Sequence, residues 1–341
     1  MVVARRAAMG GAMRSVTVVA AIVTYGDRAD VALGAVESAW AAGADAAVLV
    51  VNGAPAAAVA ALEQRAAADR RLRVVTLPDN RGSAGGYAVA MEVAAARGAD
   101  VLWLLDDDNR PRSDALQRLR AAWALLGADP AVVLACHRTA FPEWRWAADE
   151  GRAPSAEPNA FFAFHLRRLV PNLRRRWRRR RRGAPRPRYP LVPLDHAPYG
   201  GLFLPRVWVA RGELPRTDLW TYGDDVEYTS RLVAQGARLF LCTPAVIDDA
   251  VPAWSGRSVW RPPWLDDEEA RVYVMARNLA WWERRRARSW LVYGLNGALY
   301  LAFLGVLAAA RRGPRFALRR LRLTWRGVRD GWAGRLGPPR L

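Results

Sequence analysis

Val101-Leu102-Trp103-Leu104-Leu105 runs without a polar face straight into Asp106-Asp107-Asp108, and this junction constrains the chain more than any other stretch. A strand without polar alternation is buried on both sides, as in a parallel sheet covered by helices. Its end then lies at the carboxyl edge of the sheet, where open α/β folds bind ligands. Three adjacent carboxylates repel one another, so a cation is the simplest reason to gather them. Hard oxygen donors suit Mg²⁺ or Mn²⁺, completed by substrate phosphates. The same residues also read as a solvated acidic turn, because Pro111-Arg112-Ser113-Asp114 has the pattern of a helix start.

The chain before this junction alternates. Val16–Val23 is a β-branched run that reads as a first buried strand, and residues 30–42 read as a helix. A second strand follows at 46–51, a helix at 55–69 and a third strand at 72–77. Strand, helix and strand in turn imply βαβ units and a mainly parallel sheet, an α/β fold. Asp79-Asn80-Arg81-Gly82-Ser83-Ala84-Gly85-Gly86 then forms a glycine-rich loop opening a helix at about 87–97. Its glycines allow backbone to approach a ligand, and the helix N–H groups could face a phosphate. The stretch is neither a GxGxxG fingerprint nor a P-loop, and it equally suits an ordinary strand-to-helix turn. After the Asp triplet, a helix is expected at 114–127 and a strand at 132–136. A second acidic cluster, Gly223-Asp224-Asp225-Val226-Glu227-Tyr228, precedes helical spacing through Gln235. Such a cluster can be a cap. Two separated clusters are also what a metal site plus a general base would need. A last strand at 237–247 ends in Asp248-Asp249.

The 341 residues carry a formal charge of +20, most of the excess lying after residue 165, so a polyanionic partner or surface is expected. Arg174–Arg182 is the densest block, with Trp177 its one uncharged residue; its default conformation is a solvated, mobile segment. A polybasic nucleic-acid-binding protein is therefore the alternative reading, although neither an RNA-recognition pattern nor a DNA-binding motif is evident. Two cysteines, Cys136 and Cys242, exclude a disulfide framework and suit a reducing compartment. Trp290–Ala310 holds no charged residue and is flanked by arginines on both sides. Its length would reach across a bilayer, but its glycines and Asn296 favour interfacial or re-entrant contact over a span; a pair of buried helices is the alternative. The basic residues at 315–329 suit anionic headgroups. The chain thus divides into a loose tail at 1–15, an α/β domain at 16–255 with an Arg/Pro-rich insertion at 142–195, and a helical, basic, membrane-associating region at 256–341.

Four motifs in order, Val23-Thr24-Tyr25, Asn80–Gly86, Leu104–Asp108 and Gly223–Tyr228, resemble family 2 glycosyltransferases of the GT-A fold. The likeness is greatest to bacterial galactofuranosyl- and rhamnosyltransferases acting on polyprenyl-linked cell-envelope glycans. It implies a nucleotide-sugar donor, with UDP-galactofuranose and dTDP-rhamnose foremost, and Mg²⁺ or Mn²⁺ as cofactor. By the same resemblance Thr24, Tyr25, Arg28, Asn52, Asp79, Asn80, Gly85, Gly86 and Asp107 face the donor. Asp106 and Asp108 bind the metal, and Asp249 stands where relatives often have a metal-binding His. Asp225 is the catalytic base, and Trp220, Asp224 and Glu227 lie in the acceptor region. Arg277-Asn278 resembles a pair that follows the catalytic domain. His137, His165 and His196 fall outside these motifs and are expected to be structural. Direct attack by the acceptor hydroxyl would invert the anomeric centre. The implied place of work is the cytoplasmic face of the membrane, with peripheral or monotopic attachment.

Overall fold

The computed structural model describes residues 16–155, 157–251, 263–266 and 268–339. The expected tail at 1–15 and the boundary between catalytic and C-terminal regions at 255/256 lie outside them. In chain order the elements are β1 (Val18–Thr24), α1 (Ala29–Ala41), β2 (Ala46–Asn52), α2 (Ala56–Ala68), β3 (Leu72–Leu77), α3 (Gly82–Ala96), β4 (Val101–Asp106), β5 (Asn109–Pro111), α4 (Ala115–Leu125), β6 (Val132–Arg138), α5 (Pro142–Glu150), α6 (Leu166–Arg182), β7 (Leu191–Pro193), β8 (Leu202–Pro205), α7 (Val207–Ala210), α8 (Asp224–Ala234), β9 (Arg238–Asp249), α9 (Pro263–Asp266), α10 (Glu269–Arg286), α11 (Trp290–Arg312) and α12 (Pro314–Trp332).

The strands form one sheet in the order β3-β2-β1-β4-β8-β6-β9-β5, with β7 also paired to β9. The β3-β2-β1-β4 half is parallel, as the strand–helix alternation implies. The other half is mixed, because β8 enters antiparallel between β4 and β6 while β6 and β9 run parallel. Alternate residues of the unbroken apolar strands feed two cores. Val101, Trp103 and Leu105 of β4 meet α1, α2 and α4 on one face. Leu102 and Leu104 meet α3, α5 and α8 on the other. Burial on both sides is thus the physical reason for the absence of a polar face in β4.

Two expectations change. The helix α3 starts at Gly82, so the glycine-rich stretch is mostly its first two turns and not a loop before it. The Arg block is not a mobile coil: it is the greater part of α6, whose Arg168, Arg175 and Arg179 reach Glu157, Glu150 and Glu143. Those acids are remote in sequence, which is why a run of like charge could not announce its own partners. The 142–195 segment is also structurally integrated. Its β7 joins the sheet, and Phe161 and Phe162 enter a third core with Val272, Met275, Ala276, Tyr293 and Val328 of α10, α11 and α12.

Candidate active site

The carboxyl ends of β1 to β4 deliver Thr24, Asn52, the 79–82 turn and Asp106 to one edge of the sheet. A tight turn carries the chain from β4 into β5, where Asn109 pairs with Asp249 of β9. The two acidic ends that are far apart in sequence, Asp106–Asp108 and Asp249, are thereby brought together.

Each carboxylate there has a different environment. Asp107 is 5% exposed and accepts from Thr24 Oγ1 at 2.8 Å and from Arg28 Nε and Nη2 at 2.8 and 2.7 Å. Thr24 and Arg28, expected against the donor, therefore first hold Asp107; Tyr25 beside them is exposed. Asp106 accepts from the Tyr87 hydroxyl and from Arg138 Nη1, both at 2.8 Å. Arg138 also donates through Nη2 to Asp249 Oδ1 at 2.6 Å, so one buried guanidinium bridges Asp106 and Asp249. Asn109 Nδ2 donates to the same Asp249 oxygen at 2.8 Å. Asp108 is half-buried, and its pKa is pushed up to about 6, first by burial and then by the charge of Asp106, with Arg138 acting against the rise.

Arg138 is the residue that sequence reasoning missed. The expected strand stopped at Cys136, but β6 runs on to Arg138 after its register against β9 shifts between Cys136 and His137. Such irregularities re-aim side chains beside active sites. The one sequence signal is a basic residue two positions past an apolar strand, which is too common to be diagnostic.

The donor set fits a divalent cation in its chemistry. Asp249 Oδ2 is buried without a hydrogen-bond partner, and Asp108 carries negative charge that its neighbours leave incompletely compensated. Among the described residues, no group of three His, Cys, Asp or Glu side chains stands as a ready ligand set. Arg138, lying between Asp106 and Asp249, occupies part of that space.

Other expected donor contacts turn inward. Asn52 is 2% exposed; its Oδ1 accepts from Arg81 N at 2.8 Å and its Nδ2 donates to Gly82 O at 2.8 Å, so it shapes the turn. Asn80 Oδ1 accepts from Gly82 N at 2.8 Å. Gly85 and Gly86 are buried within α3. A Cβ on Gly86 would stand 2.6 Å from Val23 Cγ1, so this glycine lets α3 pack against β1. Asp79 remains exposed at the rim.

The second acidic cluster opens α8. Asp224 is 2% exposed and accepts from Ser83 Oγ at 2.8 Å, tying α8 to the glycine-rich segment. Burial and the neighbouring Asp225 push its pKa well above the usual carboxylate range, with the Ser83 hydrogen bond acting against the rise. Asp225 is half-buried, and its Oδ1 accepts from Val226 N at 2.8 Å. Burial raises its pKa as well, with a further rise from Asp106 and an opposing pull from His196. The two acidic clusters are therefore close enough to feel one another's charge. His196, expected to be structural, lies within electrostatic reach of Asp225 and pairs with Asp195. His165 accepts from Arg167 N as the N-cap of α6, and His137 contacts Thr243 O, which are structural roles. Glu227 is 8% exposed and paired with Arg231 at 3.0 Å. Trp220 O accepts from Ala84 N at 3.1 Å, joining the 217–222 segment to α3. Arg277 and Asn278 anchor that same segment: Asn278 Nδ2 donates to the carbonyls of Leu219, Thr221 and Tyr222 at 2.7, 2.7 and 2.9 Å.

Residues 20–184 match the family described as glycosyl transferase family 2. A comparison with curated proteins finds no match. Among solved structures, the mannosyltransferase PcManGT from Pyrobaculum calidifontis, in complex with GDP-Man and Mn²⁺, is similar over 92% of this chain and 86% of that one, at 14% identity and a TM-score of 0.50. GalNAc-T7 with UDP, GalNAc and Mn²⁺ is similar over 91% of this chain and 55% of that one, at 12% identity and a TM-score of 0.51. At such identities the likeness speaks for the fold, while the sequence match speaks for the family. The chain is a glycosyltransferase of the GT-A fold, and its residues 20–184 match glycosyl transferase family 2.

Proposed function

We propose that this chain transfers a sugar, with inversion, from a nucleotide sugar to a hydroxyl of a polyprenyl-linked or cell-envelope glycan at the cytoplasmic face of the membrane. The observation that carries the reading is Asp225: a half-buried carboxylate with one oxygen held by its own helix N-terminus, in the field of the Asp106 cluster. A raised pKa makes Asp225 a stronger proton acceptor, and the pKa of its neighbour Asp224 is raised by burial and by Asp225. Ser83, Asn278 and the 217–222 segment fix the position of this helix start. Asp225 would take the acceptor proton as the oxygen attacks the anomeric carbon, and no glycosyl-enzyme is needed.

Asp106, Asp108 and Asp249 are the residues that would hold Mg²⁺ or Mn²⁺, which supplies Lewis-acid neutralisation of the leaving diphosphate. The names of the two similar structures include Mn²⁺ together with GDP-Man or UDP, in keeping with a nucleotide-sugar donor and a divalent cation. UDP-galactofuranose and dTDP-rhamnose are favoured as donors by the motif resemblance. Support for the membrane comes from α11. Among the described residues it is the one helix long and apolar enough to cross a membrane, by length and composition only, and 28% of its apolar window is buried. Leu291, Leu295, Leu299 and Val306 line its outward face, which fits peripheral or monotopic attachment. Specific nucleic-acid binding is not expected, since the Arg block is in part engaged by the protein's own glutamates.

The test is a panel of nucleotide sugars offered with Mn²⁺ and short- and long-chain polyprenyl-linked acceptors, reading product stereochemistry. Turnover of one donor with inversion is expected, and Asp225→Asn should lower it by about 10²–10⁴-fold with donor affinity retained. Near-normal turnover in Asp225→Asn would remove the base from that residue.

A further inference from the structure

The helix α6 is built with its charge inward and its apolar face outward. None of its 17 residues is buried. Its apolar residues Leu166, Leu169, Val170, Leu173 and Trp177 follow the spacing i, i+3, i+4, i+7, i+11, one stripe of an α-helix. They are 44–55% exposed. Arg168, Arg175 and Arg179, on the opposite side at about 100° per residue, turn to the body of the protein. There Glu157, Glu150 and Glu143 take them. Arg167, Arg174, Arg178 and Arg181 border the stripe on one side and Arg176 on the other, and the Arg181 guanidinium sits 3.6 Å from the Trp177 ring centroid. An ordinary surface helix would show the reverse orientation, because exposing an apolar stripe to water is unfavourable.

We propose that α6 is an in-plane membrane anchor, its apolar stripe seated at the acyl boundary of an anionic bilayer and its flanking arginines on lipid phosphates. Charge selects this occupant. Leu and Trp on one face with Arg along both borders is the composition of an interfacial helix, whereas a second copy of the chain would bring two Arg-bordered stripes together. Position agrees. Leu166 N donates to Asn296 Oδ1 at 3.0 Å, so the start of α6 is tied to the second turn of α11, whose own outward face is apolar. The Phe164 and Tyr300 rings meet in a tilted contact across the same junction, 5.8 Å between centroids. The anchor adds to the membrane reading above and rests on it for the side of the membrane, but it stands on a different helix.

The experiment uses the full chain and sucrose-loaded vesicles, of phosphatidylcholine alone or of equal parts phosphatidylcholine and phosphatidylglycerol, sedimented over a salt series. The full chain should sediment with the anionic vesicles. Leu169→Glu/Leu173→Glu should lower that partition by at least about tenfold, with circular dichroism and nucleotide-sugar affinity unchanged. Arg174→Gln/Arg178→Gln should weaken binding and flatten its salt dependence. Val170→Gln, at an equally exposed position, gives a milder loss should the double variant fail to fold. Undiminished vesicle binding by the Leu169 and Val170 variants would overturn the proposal. So would a wild-type chain that ignores anionic vesicles. Loss of a dimer in the Leu variant, without any vesicle binding by the wild type, would assign the stripe to a second copy. Transfer to a short, water-soluble acceptor separates this from the proposed function. If the Leu variant keeps that transfer but leaves the membrane, both readings stand. If the wild type binds vesicles and transfers nothing, the anchor stands and the function falls.

Discussion

Arg138→Met isolates the residue that joins the two acidic ends of the site. The Arg138 side chain is 8% exposed and that of Asp249 is 3% exposed, so water cannot replace the lost donors at Asp249. Breaking a buried ion pair by removing one partner costs about 3–5 kcal/mol. The low end applies here, because Asp106 is 35% exposed and keeps the Tyr87 hydroxyl, while Asp249 keeps Asn109. A loss of about 3 kcal/mol, at a urea slope of about 3 kcal/mol/M, lowers the unfolding midpoint by about 1 M. Arg138→Lys should fall between, since an ammonium keeps the charge but cannot fork to two carboxylates. The deficit should also depend on pH. Asp108 binds its proton more tightly in the folded state, with a pKa of about 6 against an unfolded value of about 3.9. Its contribution to stability is therefore full below the unfolded value and is lost as pH rises through about 6. Arg138 opposes that rise, so the variant should lose more stability between about pH 5 and 8 than the parent chain. Urea titrations by near-ultraviolet circular dichroism at both pH values measure this. A loss under about 1 kcal/mol at about pH 8, or one that shrinks as pH rises, would refute the bridging role.

Three further outcomes are expected. Because burial and Asp106 raise the Asp225 pKa, the acid limb of kcat/KM should lie above the ordinary carboxylate value of about 3.9, with activity lost as pH falls through it; a limb at or below that value contradicts the assignment. Asn278→Ala removes the donor shared by three carbonyls of the 219–222 segment and should cost about 2–3 kcal/mol in denaturant titration. Its kcat should fall more than its donor KM changes, because the start of α8 loses its support. Chelation should abolish transfer and Mn²⁺ or Mg²⁺ restore it, while calorimetry should show weaker metal-dependent nucleotide binding by Asp108→Asn; unchanged binding would take Asp108 out of the ligand set.

The parallel half of the sheet and its acidic edge were legible because the period of side-chain burial is local. A run such as Val101–Leu105 can satisfy itself only between two layers, and the carboxylates next in the chain must emerge at the edge. The order of the motifs was legible for the same reason. The stripe of α6 was also present in the spacing of Leu166, Leu169, Val170, Leu173 and Trp177, but the density of like charge around it concealed a helix. Tertiary structure alone decided the partners. Glu143, Glu150 and Glu157 neutralise the inner face of α6 from other segments. Asn52 and Gly86 serve the approach of α3 to β1 and β2, a packing role that reading along the chain did not reveal. Arg138 reaches Asp106 and Asp249 only after the register of β6 against β9 shifts. Local burial patterns set the elements, whereas ion pairs and close approaches depend on which distant backbones the folded sheet brings within a few ångströms, and no spacing along the chain encodes that distance.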